Sequence, residues 1–288
     1  MRRRSTKLVS PAVDALRQID AWPAEHSAAG CATAREVVAA HGDVEHRFGW
    51  GSVTKLLVAY ATLIAAEEGV LDLDEPAGPP GSTVRHLLAH ASGLAWDSPK
   101  PLGKPGERRV YSNSGYLALA EHIAGRAEMP FPDYLRAAVL EPLELGATLE
   151  GDAAGGIAGT LGDMLRFGRE ALEPTLIAVE TLAEATSVQF PGLEGVLPGF
   201  GRQTPNDWGL GFELRNGKSP HWSGSFNSPR TYGHFGSKPG TATFLWVDPE
   251  RRLVAAALAD ESFGDWARAA WPALSDAVVS EGIRVAPD

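Results

Sequence analysis

The chain has 288 residues, 44% of them hydrophobic and 22% charged, an ordinary globular composition with length for one large domain or two interleaved ones. A formal charge of −10 argues against nucleic acid and anionic membrane as partners, because both are held by clustered Lys and Arg, and the one basic cluster is residues 2–4. A single cysteine, Cys31, excludes an intrachain disulfide, and polar residues interrupt the basic N-terminus before any apolar run of signal-peptide or membrane-spanning length, so a cytoplasmic protein is expected.

Residues 11–22, PAVDALRQIDAW, place apolar side chains at helical spacing. The stretch 34–50 then changes period and reads as two short strands around a hairpin turn at His41-Gly42-Asp43. A helix is expected from Ser52 to about Glu68, stopped by Gly69. PAGPPG at 76–81 is loop, and VRHLLAHASGL is a helix ending at Gly93. After a loop over 95–110 come helices in 114–128 and 131–145, the second broken at Pro142, and an amphipathic helix from about Leu161. Beyond residue 208 the texture turns to β-rich runs at 208–216, 231–236, 241–250 and 251–260, with a corner at Asp248-Pro249-Glu250, before a last helix over 265–283.

Strands at both ends with helices between them imply an α/β (α+β) fold, in which an antiparallel sheet built from both termini is flanked by helices and carries an inserted all-helical lobe. Residues 1–51 and 208–288 would form the sheet lobe and residues 52–207 the mostly helical lobe of one domain. A site is expected where the two lobes meet.

Three short motifs carry chemistry. Ser52 and Lys55 form an SxxK pair for which chance alone gives about 0.4 matches in a chain of this composition, and its plain alternative is a helix start with a surface lysine. The apolar run after Lys55 speaks against exposure. Residues three apart share a helix face, and a lysine in low dielectric beside a hydroxyl can lose its proton and act as base. Tyr111-Ser112-Asn113 is a YxN for which chance gives about 0.07 matches. A phenol can pass a proton where nearby cations lower its pKa, and an amide can orient a substrate carbonyl; the alternative is a turn with a packed tyrosine. His234-Phe235-Gly236 falls on an expected strand, whose edge can offer the Ser237 N–H as an oxyanion donor beside that of the nucleophile.

In that order, SxxK, YxN and HxG resemble the serine β-lactamase and penicillin-binding-protein superfamily, specifically its class C-like branch with the family VIII esterases. HLLAHASGL, PGERRVYSNSGY, GGIAGTLGDMLRF and GHFGSKPGTATFLWVDPE also resemble recurring segments of that branch, so the likeness covers roughly residues 36–260. It implies an acyl-enzyme mechanism without cofactor or metal. Ser52 would be the nucleophile, Lys55 its activating partner, Tyr111 the proton shuttle, and Asn113, His234, Gly236 and Ser237 substrate-binding positions. His234 stands where many relatives carry a lysine, and a neutral imidazole holds a substrate carboxylate less strongly than an ammonium.

Other features are discounted. His86 and His90 lie four apart on a helix, but no HExxH and no third ligand accompany them, so His90 is read as a structural histidine at a helix end. EEGVLDLDEP reads as a solvated helix end, no GxSxG is present, and Trp208, Trp222 and Trp246 are assigned to core or loops. The expectation is a serine hydrolase of a small ester or amide, esterase-like, with a β-lactamase or D-alanyl-D-alanine carboxypeptidase next and a non-catalytic binding module on the same fold as a third reading. The partner is then a small-molecule ester, amide or lactam; the oligomeric state is left open.

Overall fold

The structure is a computed structural model and describes residues 11–281; the basic cluster at 2–4 and the end of the last expected helix at 282–283 lie outside them. In chain order it runs α1 (Pro11–Leu16), β1 (Ser27–Ala32), β2 (Val37–Gly42), β3 (Phe48–Gly49), α2 (Thr54–Glu67), α3 (Val84–Leu88), α4 (Asn113–Ala127) and α5 (Phe131–Leu135). There follow β4 (Thr148–Leu149), β5 (Ile157–Gly159), α6 (Leu161–Leu172), α7 (Val179–Ala185), β6 (Gly195–Leu197), β7 (Gly201–Gln203) and β8 (Glu213–Leu214). The chain ends with β9 (Tyr232–Lys238), β10 (Thr241–Asp248), β11 (Leu253–Ala259) and α8 (Asp265–Ser280).

The main sheet has the order β2-β1-β11-β10-β9-β8, antiparallel throughout, so its strands do come from both ends of the chain. Side chains alternate across it. Ala29, Cys31, Phe244, Trp246, Ala255 and Ala257 face α1 and α8, while Ala28, Ala32, Leu245, Val247, Val254 and Leu258 face the core built with α2 and α6. Helix α6, from the middle of the chain, lies directly on the sheet: a Cβ at Gly30 of β1 would stand 2.8 Å from Leu165. Its start is fixed by a capping box in which Thr160 and Asp163 exchange hydrogen bonds.

Two local expectations are corrected. The hairpin around residues 41–43 does not form; β2 pairs with the preceding β1, and the chain after Asp43 yields only β3, which pairs with β5. Sequence reasoning missed β1 because SAAGCA has none of the branched or aromatic residues that mark strands, and close packing against α6 is what calls for small ones. The helix expected to reach Gly93 stops at Leu88, because His90 turns into the left-handed region at φ 53°. Other boundaries agree with the reading. Gly69 (φ 71°) closes α2 with Val70 N–H on the Ala65 carbonyl and Gly69 N–H on that of Ala66, the pairing of a Schellman end. The helix of 131–145 passes from α5 into a π-helical turn, Arg136–Leu140, and ends before Pro142.

Helix α2 is the axis of the helical region. Every residue from Thr54 to Ala65 is buried, which is the hydrophobic-all-round pattern of an internal helix. It carries Lys55 into the interior.

Candidate active site

Ser52 sits in a 3₁₀ turn, Gly51–Val53, that leads into α2. Strand β9 is pressed on this turn, and two glycines make that approach possible. A Cβ at Gly236 would lie 2.1 Å from the Trp50 carbonyl oxygen, and one at Gly51 (φ 52°) would lie 3.1 Å from Gly236 Cα and 3.2 Å from Ser237 N. The role the geometry gives Gly236 is therefore close approach. The two-residue turn after β9 closes on the pair Lys238/Thr241, so the next pair, Ser237/Ala242, is not hydrogen-bonded to itself, and Ser237 N–H points away from β10 to the side of Ser52. Thr243 donates its hydroxyl to the Trp50 carbonyl at 2.8 Å and pins turn to sheet.

One helical turn on, Lys55 is fully buried. Its Nζ lies 3.1 Å from Ser52 Oγ, 2.8 Å from Asn113 Oδ1 and 2.6 Å from the Ala154 carbonyl, and no carboxylate among the described residues touches it. Burial lowers its pKa to about 7, and the more distant Asp152 and Asp97 pull against that fall. A neutral lysine has two N–H bonds and one lone pair. The two shorter contacts are both to oxygens that only accept, so they take the N–H bonds and leave the lone pair for the Ser52 hydroxyl.

The loop before α4 supplies Tyr111 and Asn113. Ser112 caps α4 by accepting from Gly115 N–H at 2.9 Å and donates its hydroxyl to the Ala95 carbonyl at 2.6 Å. Asn113 is oriented at both ends, Oδ1 on Lys55 and Nδ2 donating to Asp97 at 2.8 Å, which leaves one amide hydrogen for a substrate. The Tyr111 ring stands 5.0 Å from Lys55 Nζ. The phenol is not lowered by cations, contrary to the expectation from the sequence; burial pushes Tyr111 up, opposed by a hydrogen bond with Ser52. The hydroxyl therefore stays protonated and can donate its proton or relay one.

His234 faces Tyr111, with Nε2 3.4 Å from its hydroxyl, while Nδ1 lies 2.7 Å from the Phe235 carbonyl. A carbonyl only accepts, so Nδ1 carries the hydrogen and Nε2 the lone pair. Burial, then the nearby Lys55, lower the His234 pKa to about 3, and the ring is neutral at any physiological pH.

Ser52 stands between two hollows. One, about 260 Å³, is lined by Tyr111, His234 and Ser237 and walled by Trp96, Leu197, Trp208, Phe235 and Phe263. The other, about 290 Å³, is polar, with Asn113, Asp152, Ser237 and Lys238 around it. Trp208, Trp222 and Trp246, assigned to core or loops from the sequence, all belong to the core, and Trp208 also walls the first hollow. Asp97, Asp152 and the Ala154 carbonyl went unmarked in the sequence, because nothing near them in the chain announces a contact or field at Lys55.

His86 Nδ1 pairs with the Thr83 hydroxyl, and His90 Nδ1 accepts from Ser112 N–H. Among the described residues the grouping with metal-ligand spacing is His26, His46 and Asp260. There too, no helix is long and apolar enough to cross a membrane.

The family model described as Beta-lactamase matches residues 21–151 and 145–279. Penicillin-binding protein 4* of Bacillus subtilis is 28% identical over 134 residues, a stretch covering 35% of this chain and 30% of that protein's length. A crystal structure of a beta-lactamase from Mycobacterium bovis is 51% identical, with a TM-score of 0.90 over 93% of this chain and 98% of the other. A D-amino acid amidase from Ochrobactrum anthropi SV3 complexed with L-phenylalanine shares the fold, with a TM-score of 0.75 at 18% identity over 93% and 97% of the two chains.

Proposed function

The chain belongs to the beta-lactamase family, and from that membership we propose that it is a serine hydrolase cleaving a small ester or amide through an acyl-serine intermediate. The observation that carries this reading is Lys55, buried without a contacting carboxylate among the described residues and 3.1 Å from Ser52 Oγ. Neutral Lys55 takes the Ser52 proton as Oγ adds to the carbonyl carbon. The backbone N–H groups of Ser52 and Ser237 receive the oxyanion. When the C–O or C–N bond breaks, the departing oxygen or nitrogen takes the Tyr111 proton, which the Lys55 ammonium replaces. Water then adds to the acyl ester, releases the acid and restores Ser52.

Within the family we place the chain in the class C-like branch and favour an esterase-like or amidase-like substrate with an apolar group. The aromatic walls around the first hollow support an apolar group. His234, neutral and presenting a lone pair, supports an uncharged substrate over one bearing a carboxylate. A lactam is the second reading, favoured by the 51% identity to the Mycobacterium bovis protein described as a beta-lactamase.

The test is intact mass after incubation with a fluorophosphonate, followed by turnover of a p-nitrophenyl ester, phenylalanine amide and a cephalosporin. The proposal expects a single adduct that disappears in Ser52→Ala and faster turnover of the ester or amide. Absence of both adduct and turnover between pH 6 and 10 leaves the non-catalytic binding reading in its place.

A further inference from the structure

We infer that His90 is a positioning residue that holds the Tyr111 hydroxyl in line for proton transfer, an inference that rests on the role proposed for Tyr111 above. His90 brackets Tyr111 from both sides along the chain. Its carbonyl accepts from Val110 N–H at 2.9 Å, and its Nδ1 accepts from Ser112 N–H at 3.2 Å. The imidazole lies against the Tyr111 ring with centroids 4.4 Å apart, and Trp208 packs on both, 4.6 Å from the imidazole in a T-shaped contact and 5.8 Å from the Tyr111 ring. Backbone, side chain and ring face of one residue thus all act on the loop that carries the phenol.

Two features show that a simple packing residue would not do. His90 holds φ 53°, which side-chain-bearing residues rarely adopt and which directs this residue back onto the loop. Because Nδ1 accepts, the ring hydrogen is on Nε2, and that buried N–H has no hydrogen-bond partner among the described residues. An unpaired buried donor is a standing cost that an apolar side chain would avoid. The side chain's one hydrogen bond goes to the residue after Tyr111.

A double-mutant cycle on Tyr111 tests this, read as kcat and KM for a p-nitrophenyl ester and as the rate of Ser52 labelling by a fluorophosphonate. His90→Leu is expected to lower kcat about thirty-fold with KM little changed. His90→Asn keeps an acceptor and tolerates the left-handed backbone, so it should stay within about threefold of the parent. In a Tyr111→Phe background His90→Leu should cost nothing further, because the group it positions is gone. Should His90→Leu not fold, His90→Gly, which suits the left-handed backbone, carries the same cycle with the same outcomes. Equal losses in both backgrounds, or His90→Asn falling as far as His90→Leu, overturn the inference and leave the serine-hydrolase reading standing. A parent protein that neither labels nor turns over removes that reading and this inference together.

Discussion

Among the described residues Lys55 and Lys218 are both buried, and their surroundings differ in one decisive respect. Lys218 donates to the Glu213 carboxylate and to the Asp207 carbonyl at 2.6 Å, with the Trp208 ring 5.8 Å away. Burial on its own would raise Glu213, but His221 and Lys218 overrule it and hold that carboxyl down to about 2; burial lowers Lys218, and Glu213 pulls it back. The His221 ring, whose Nδ1 accepts from Ser223 N–H, donates Nε2–H to the same carboxylate, and Trp222 donates as well. The hydrogen-bond partners of Lys55 among the described residues are a hydroxyl, an amide oxygen and a carbonyl. Burial lowers both lysines, and at Lys218 a contacting carboxylate opposes that fall directly, whereas at Lys55 only the more distant Asp152 and Asp97 do. Lys218 stands beside the pocket wall at Trp208, and Lys55 is the lysine proposed to give its charge up.

The sharpest way to break this contrast is to replace each lysine by methionine. Lys55→Met should slow acylation of Ser52 by about 10³-fold or more, since it removes the base. It should leave melting at pH 6 unchanged or higher, because it also removes a cation with no contacting carboxylate. Lys218→Met should behave in the opposite sense. It strands a buried carboxylate and is expected to cost about 3–5 kcal/mol in denaturant unfolding, while the protein that remains folded still labels at Ser52. Equal effects on labelling and stability from the two substitutions would erase the distinction.

The same contrast appears in stability against pH, with opposite locations. The folded-state pKa of Glu213 is depressed, so its contribution is present above the ordinary carboxylate range and is lost as pH falls towards about 2. Lys55 is depressed as well, to about 7, but it is a base. Between pH 7 and the ordinary lysine range the unfolded chain binds a proton that the folded chain lacks, and stability rises with pH there. Melting curves of the parent and of Lys55→Met from pH 6 to 9.5 should therefore converge at the upper end. A constant gap would contradict the assignment. The smallest expected effect is His234→Lys, which replaces an acceptor by a donor near the first hollow and should shift the ratio of cephalosporin to p-nitrophenyl ester turnover by a few-fold towards the carboxylate-bearing substrate.

Much of this frame was legible in the sequence where local signals are strong. The long apolar run after Lys55 marked a buried helix, Gly69 marked its end, and the β-rich runs beyond residue 208 marked the sheet. The motif order also brought Ser52, Lys55, Tyr111, Asn113, His234 and Ser237 into view, and these six are close in space. What could not be read depends on contacts between distant segments. Strand β1 is written in small residues because α6 presses on it, which no local propensity encodes. His90 follows α3 in a left-handed turn, and its ring meets the backbone of Ser112, 22 residues on. Asp97 on Asn113, Ala154 on Lys55, and the Glu213-Lys218-His221 cluster arise only when the loops around the site are folded against one another.

The central claim is that Lys55 is the neutral base of Ser52, and the pH dependence of Ser52 acylation tests it most directly. Intact-mass time courses with a fluorophosphonate from pH 5.5 to 9 should give a rate that rises tenfold per unit below about pH 7, levels off above it, and shows no such step in Lys55→Met. A rate independent of pH across that range, or the same step surviving in Lys55→Met, would contradict it.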